Sequence, residues 1–185
     1  MINKKGLEAF SLRGLARDQS CQAASLYEYF ESRADVLSAL NALASEELLE
    51  RLQLACADAD SDGASVKHML SAYIEFFTEA KWRLEVIYSV LPTRRATIDD
   101  ELPENSPYRF FVDRIRALAR SQTLDDARAE EWAFAAWSYA HGVVVLRMGF
   151  LNPLDVALKT YTDAGINTFL TGMVGAGDGR KRKSR

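Results

Sequence analysis

The sequence predicts an all-α protein, with an N-terminal helix-turn-helix domain followed by a larger helical bundle. Helix breakers are rare, since the 185 residues include four prolines and ten glycines, and long segments run without interruption. Apolar residues recur at spacings of three and four, which is the period of an amphipathic helix. With 48% apolar and 26% charged residues, the composition is that of a globular protein and excludes disordered chains and disulfide scaffolds.

The first 30 residues predict two short helices. Ser11 is a suitable N-cap for a helix over 11–19, whose apolar stripe is Leu12, Leu15 and Ala16. Residues 20–22 interrupt the pattern. A second short helix then follows over 23–30.

A long helix is predicted next, over 33–58. Ser32 is its expected N-cap, and Asp35 three residues later forms an acidic variant of the capping box. Its apolar stripe, spaced by three and four, is Leu37, Leu40, Ala44, Leu48, Leu52 and Ala55.

The rest of the chain alternates helices with short connections. A turn is predicted at 58–63, followed by a helix that carries residues 66–77 and by continued helix over 82–91 that ends at Pro92. A loop is predicted at 92–107. Three more helices are predicted at 108–121, from Asp125 or Asp126 to about 150, and from Pro153 to about 174. We therefore expect three regions: a domain of short helices at 1–45, an aromatic-rich bundle at 46–175, and a basic flexible tail at 176–185. The tail is either simply solvated or an auxiliary phosphate contact.

Charge and composition narrow the function classes. The net charge of −3 does not by itself indicate a nucleic-acid-binding protein. Cys21 and Cys56, the two cysteines, lack metal-ligand spacing and predict small apolar side chains in a reducing cytosol. We expect a cytoplasmic protein with no signal peptide and no membrane segment.

The sequence lacks two common enzyme signatures. Neither Gly-x-Ser-x-Gly nor His-Glu-x-x-His occurs, and the glycine-rich segment 172–179 lacks the ending of a phosphate-binding loop and reads as flexible. We therefore expect no enzyme activity, no cofactor and no metal site.

Two short helices and a three-residue turn, followed by a longer helix, form the plan of a helix-turn-helix motif. The second helix of such a motif presents its N-terminal residues to base edges in the major groove. Here those residues are Gln22, Ala23, Ala24 and Ser25. Gln can bond the adenine edge, and Ala can contact a thymine methyl group. Plain packing of three short helices is the alternative interpretation.

This region resembles the DNA-binding domain of TetR/AcrR-type transcriptional regulators. The matching residues are Lys5-Gly6, Ser11-Leu12-Arg13, Leu15-Ala16 and Leu26-Tyr27-Glu28-Tyr29-Phe30-Glu31-Ser32-Arg33. The resemblance implies binding to double-stranded operator DNA. It places Ser25, Tyr27 and Tyr29 at positions used on the recognition helix, with the Tyr27 hydroxyl as a phosphate donor. It places Arg33 at the position of a phosphate-binding lysine, where a helix N-terminus assists anion binding.

The chain departs from the family pattern at Glu28, where the family often has Arg, and at two further places. The turn contains Ser20-Cys21-Gln22 where the family has Gly-Val-Ser, so we expect strain at a left-handed position and Cys21 in the core. Only a few residues precede Gly6, where the family has a helix of about fifteen. From this we expect either a truncated start or a remnant head in which Leu12, Leu15, Leu26 and Phe30 lose part of their cover.

A second signature lies in the predicted helix that ends near residue 150. Trp137, His141 and Gly142 match the Trp-x-x-x-His-Gly motif of one class of TetR-type ligand domains. Trp137 and His141 share a helix face, and close packing is expected to compensate for Gly142. His141 is either a hydrogen-bonded core or interface residue or a ligand contact. The expected site for a small apolar ligand is Tyr73, Phe77, Trp82, Trp137 and His141.

The resemblance further implies a homodimer formed by the last two helices, at about 126–149 and 153–174. The resulting hypothesis is a ligand-responsive transcriptional regulator, in the first instance a repressor, that is released from its operator by the ligand. The alternative is a dimeric small-molecule-binding protein whose truncated head no longer binds DNA specifically.

Overall fold

The all-α prediction is confirmed. The structure, a computed structural model, describes residues 7, 10–89, 105–149, 151 and 157–181, with side chains to residue 175. These residues form eight α-helices and no strand. The helices are α1 Leu12–Asp18, α2 Ala23–Tyr27, α3 Arg33–Ala57, α4 Asp62–Glu79, α5 Lys81–Ile87, α6 Pro107–Ser121, α7 Ala129–Met148 and α8 Leu158–Lys181, with a 3-10 turn at Asp126–Arg128.

The turn between α1 and α2 contains the left-handed residue that the sequence predicted. Ser11 caps α1 by accepting a hydrogen bond from the Gly14 amide at 3.1 Å. At the other end the Cys21 amide donates to the Ala16 carbonyl at 2.9 Å, and Ser20 has a φ of 54°. This is a Schellman ending with Ser in the position that favours Gly. The expectation for Cys21 is wrong, because its side chain is exposed and only its backbone closes the turn.

The second short helix is shorter than predicted and ends at Tyr27. Tyr29 therefore lies beyond the recognition helix, in the turn that leads to α3. The predicted capping box is confirmed: the Ser32 amide donates to Asp35 Oδ2 at 2.9 Å, and the Asp35 amide donates to Ser32 Oγ at 3.2 Å. Reciprocal bonds of this kind satisfy two amides that a helix start leaves open.

By its internal contacts the chain divides into two compact units. The N-terminal unit is Met1–Glu47 with Glu79–Glu101, and the C-terminal unit is Leu48–Thr78 with Leu102–Arg185. In the N-terminal unit Phe10, Leu12, Val36 and Leu37 form a buried cluster. Leu7, Leu15, Leu26, Phe30 and Leu40 pack on this cluster and remain half-buried.

Helix α5 joins the N-terminal unit from a distant part of the sequence. Its Glu85 carboxylate accepts a hydrogen bond from the Leu7 amide at 3.1 Å. At its end the Ile87 carbonyl accepts a bond from the Asn41 side chain at 3.3 Å, and Arg83 lies 3.4 Å from Glu47. These contacts tie α5 to α3 and to the segment before α1.

Two boundaries in this region differ from the prediction. The helix that begins at Asp62 ends at Glu79, and extended backbone at Ala80 separates it from α5. No proline or glycine stands at this break, so the sequence carried no signal for it. Helix α5 ends at Ile87 instead of residue 91. Of the predicted loop at 92–107, residues 92–104 lie outside the described residues, and Pro107 is already the first residue of α6.

In the C-terminal unit α4 buries a broad face that extends over about half of its circumference. Helix α6 contributes one buried face, and α7 contributes a face made largely of alanines. The core residues of these three helices are Val66, Met69, Leu70, Ala72, Tyr73, Ile74, Phe76, Phe77, Phe111, Val112, Ile115, Leu118, Ala119, Trp132, Ala133, Ala136, Ala140 and Val144.

Helices α7 and α8 approach closely at Gly165. The Tyr139 hydroxyl on α7 donates to the Thr162 carbonyl on α8 at 3.1 Å, and its ring lies where a Cβ at Gly165 would stand. Gly142 is different, since nothing described lies within 4 Å of the place of its Cβ. The close packing expected at Gly142 is therefore wrong for this chain's own described residues.

The last helix extends further than predicted. It runs over Leu158–Lys181, so the segment after residue 175, expected to be flexible, is helical to Lys181. The predicted start at Pro153 and the final residues 182–185 lie outside the described residues. Among the helices that the structure describes, none is long and apolar enough to cross a membrane. The described residues contain no group of three metal-binding side chains.

We predict that Gly165→Ala lowers the free energy of unfolding by about 1–3 kcal/mol, because the Tyr139 ring must move and lose its bond to Thr162. Urea unfolding followed by circular dichroism measures the change. The control is Gly63→Ala, a helical position with nothing within 4 Å of its Cβ, where a gain of up to about 1 kcal/mol is expected. Equal stability of the two variants would contradict the close approach.

Candidate DNA-reading surface and aromatic site

Most of the predicted DNA-binding residues lie together on an exposed surface. Gln22 precedes α2, and Ala24 and Ser25 lie in its first turn with their side chains exposed. Ala23 is half-buried. The side chains are short and no capping bond engages Gln22, so the start of this helix is sterically open to a base edge.

Two tyrosines continue this surface. Tyr27 is 47% exposed at the end of α2, and Tyr29 is 81% exposed two residues later. Large aromatic side chains with this exposure contribute little to the core, so packing does not account for them. Their hydroxyls are suitable donors to phosphate oxygens.

Arg33, the predicted phosphate contact, is engaged within the chain. Its Nε donates to the Phe10 carbonyl at 3.2 Å, and one terminal nitrogen donates to the Leu7 carbonyl at 2.9 Å. A guanidinium carries five N–H donors, so two used donors do not exclude a phosphate. The structure nevertheless gives Arg33 a second role, which is to hold the segment before α1 against the start of α3.

In the C-terminal unit the structure brings Tyr73, Trp137 and His141 into one hydrogen-bonded group. The Trp137 Nε1–H donates to the Tyr73 hydroxyl at 2.9 Å, and that hydroxyl lies 3.2 Å from His141 Nδ1. Because the Tyr73 oxygen accepts from Trp137, its own hydrogen can be donated to His141. A neutral His141 in this arrangement carries its proton on Nε2.

Burial favours that neutral form. It lowers the pKa of His141 from its ordinary value of 6.5. The half-buried imidazole lies over the next turn from Trp137, with ring centroids 6.2 Å apart. The pairing of these two residues on one helix face is as the sequence predicted.

Aromatic rings surround the Tyr73 phenol. Phe77 meets it edge to face with centroids 4.8 Å apart, and Phe111 from α6 does so at 5.6 Å. Tyr73, Phe77 and Phe111 are all buried. Four of the predicted ligand residues thus lie in this unit, whereas Trp82 lies on α5, which belongs to the N-terminal unit.

Three rings of this aromatic group were not among the predicted ligand residues: Tyr108, Phe111 and Phe134. Tyr108 and Phe134 each contact the Trp137 ring, with centroids 5.7 and 6.3 Å apart. Because a short connection joins α6 to α7, the two helices are antiparallel neighbours, and this was the available signal. This antiparallel arrangement places the start of α6, with Tyr108, beside the middle of α7, with Trp137.

Tyr73→Phe is predicted to lower the free energy of unfolding by about 1–3 kcal/mol, because the indole N–H of Trp137 loses its acceptor inside the bundle. Chemical denaturation gives the magnitude, and the Trp137 indole resonance should shift in an NMR spectrum. Tyr161→Phe is the matched control, since Tyr161 is 65% exposed on α8. An unshifted indole resonance would show that the bond is absent in solution.

Stability should also depend on pH through His141. Since its folded pKa is lowered, the unfolded chain binds a proton below pH 6.5 that the folded chain resists. The free energy of unfolding therefore falls as pH decreases from about 7 toward the lowered pKa and levels off below it. His141→Asn, which keeps an acceptor near Nδ1, should flatten this part of the profile. A profile as steep in this variant as in the unmodified chain would rule out this assignment.

The comparisons with known proteins agree with this arrangement at the level of fold. No protein-family model and no curated protein matches the sequence. Among solved structures, a protein of unknown function from Rhodococcus sp. RHA1 is 22% identical with a TM-score of 0.79, covering 94% of this chain and 89% of its own. A variant of TetR from Acinetobacter baumannii AYE in complex with minocycline is 16% identical with a TM-score of 0.65, covering 95% and 91%.

A TetR family transcriptional regulator, PfmR from Thermus thermophilus, is 17% identical with a TM-score of 0.64, covering 92% of both chains. The resemblance noted in the first forty residues thus extends, as a fold, over nearly the whole chain. Identities this low show architecture and not activity. The chain has the fold of the TetR family transcriptional regulators.

Proposed function

We propose that the chain is a ligand-responsive transcriptional regulator that binds double-stranded operator DNA and acts as a repressor. The observation that carries this proposal is the exposed start of α2. Gln22, Ala24, Ser25 and Tyr27 are exposed there on a helix-turn-helix whose cap, left-handed turn and capping box are all formed. In this role Gln22 and the small residues read base edges, and Tyr27, Tyr29 and Arg33 contact phosphates.

The C-terminal unit supplies the ligand site in this proposal. Tyr73, Phe77, Trp137 and His141 combine aromatic surface with a few polar groups, which is the usual lining of a small-molecule site. The TetR variant of the same fold was solved in complex with minocycline, which supports a small-molecule ligand for a protein of this architecture. We expect a small ligand of largely apolar character.

Homodimer formation completes the proposal. Helices α7 and α8 expose apolar side chains that the described residues leave uncovered: Val145 is 49% exposed, Leu146 51% and Tyr161 65%. A Cβ at Gly142 or Gly172 would meet nothing described within 4 Å, so a second chain has room to approach both helices. A two-fold dimer would present two recognition helices to half-sites about 34–36 Å apart.

Coupling between the ligand site and DNA runs through α3 in this proposal. That helix starts beside the recognition helix and ends in the C-terminal unit. A ligand that favours one orientation of α3 changes the separation of the two recognition helices and weakens operator binding. Glu85 and Asn41 tie α5 to the same N-terminal core, so α5 provides a second connection.

A dimeric small-molecule-binding protein without specific DNA binding is the second candidate. Two observations favour it: Arg33 is already bonded to two backbone carbonyls, and Glu28 and Glu31 are exposed beside the tyrosines. Carboxylates close to the contact surface repel phosphates. The two candidates differ in whether affinity depends on DNA sequence.

Fluorescence anisotropy of the full chain on duplexes from its own upstream region decides between them. We expect binding about 10³-fold or more tighter than to a shuffled duplex, with affinity falling as salt rises. Gln22→Ala should reduce this selectivity. Tyr27→Phe should lower the affinity for both duplexes by the same factor. His68→Gln, at an exposed position of α4 outside the proposed DNA, ligand and dimer surfaces, is the control. Equal, weak binding to both duplexes would favour the second candidate.

A further inference from the structure

One stripe of α7 combines a carboxylate with a run of aromatic rings. Glu130, Phe134, Trp137 and His141 follow one another at spacings of four, three and four, so they share one face of the helix. Tyr108, in the first turn of α6, adds its ring from the neighbouring helix. His141 and the Tyr73 phenol form the buried end of this stripe, and Glu130 is at its exposed end.

The rings along this stripe are accessible as π-surfaces. Phe134 is 57% exposed, and Tyr108 and Trp137 are half-buried. The rings of Tyr108 and Phe134 meet the Trp137 ring at interplanar angles of 70° in both cases. Because the indole N–H of Trp137 donates to Tyr73, the indole's remaining contact surface is its π-system. Such a surface attracts a positive charge without offering it a hydrogen bond.

Negative charge reaches the same rings. Glu130 is exposed in the first turn of α7. The pKa of the Tyr108 phenol is raised, first by the burial of Tyr108 itself and second by the negative charge of Glu130. The same two helices already hold cations over rings. The Arg114 guanidinium lies 5.4 Å from the Phe110 centroid, and that of Arg128 lies 5.2 Å from a Trp132 ring.

We propose that Tyr108, Phe134 and Trp137, together with Glu130, bind a small hydrophobic organic cation of the quaternary-ammonium type. This inference names the ligand class of the site described above and rests on the proposed ligand-binding function. Aromatic faces compensate a cation that has no N–H to donate, and the carboxylate balances its charge. A neutral molecule of the same shape gains the apolar contacts but neither of these two attractions.

A pair of probes that differ only in charge tests this directly. Benzyltrimethylammonium and neopentylbenzene have the same shape, with nitrogen in one and carbon in the other. Each is titrated into the full chain while the Trp137 indole N–H is followed by NMR. We expect the affinity for the cation to be at least about tenfold higher than that for its neutral counterpart, and to fall as the salt concentration rises.

Two variants separate the contributions of the ring and of the carboxylate. Phe134→Leu keeps an apolar side chain without a π-face, and Glu130→Gln removes one charge. Each substitution should lower the affinity for the cation about two- to fivefold. Their effect on neopentylbenzene should be smaller. The matched controls are Glu131→Gln, an exposed neighbour that pairs with Arg128, and Tyr29→Leu in the N-terminal unit, and both should bind the cation unchanged.

The outcomes distinguish this inference from the function on which it rests. Equal affinity for the two probes, no binding of the cation, or full affinity in both site variants would overturn the cation site. Selective operator binding measured without any probe would leave the regulator intact in each of those cases. Conversely, charge-selective binding by a chain that does not discriminate between duplexes would support the cation site and contradict the proposed regulator.

Discussion

The continuity of α3 is the constraint on which the rest of the structure depends. Its 25 residues span about 37 Å without a break, and both compact units are built on segments of it. The Ser32–Asp35 capping box fixes where it begins, and Arg33 in its first turn holds the backbone at Leu7 and Phe10. The helix-turn-helix core therefore cannot form independently of the start of this helix.

The sequence predicted those parts of the fold that local chemistry determines. The caps at Ser11 and Ser32 were assigned correctly because their partners lie three residues away. The left-handed residue at Ser20 was expected because the resembled family has glycine at that position. The break at Ala80 was missed, because no residue there disfavours a helix and tertiary packing determines the ending.

The candidate sites were predicted unevenly, for a related reason. Trp137 and His141 share a face by spacing alone, so their pairing was predictable, but their shared partner Tyr73 lies 68 residues from His141 and was selected only as an aromatic residue. Trp82 was chosen by the same criterion and lies in the other unit. Cys21 was expected in the core because it is a small apolar residue at a position where the resembled family has Val, whereas the turn geometry leaves its side chain exposed.

The contacts of α5 have a consequence for the order in which the chain assembles during synthesis. The Leu7 amide and its acceptor on Glu85 are 78 residues apart, and the Asn41 bond to Ile87 also joins distant segments. Closing so long a loop is slow, whereas the α6–α7 hairpin forms from neighbouring segments. The N-terminal unit, although translated first, cannot be complete until residue 87 has left the ribosome. Until then the first helices keep part of their apolar surface exposed, and a chaperone has time to bind them.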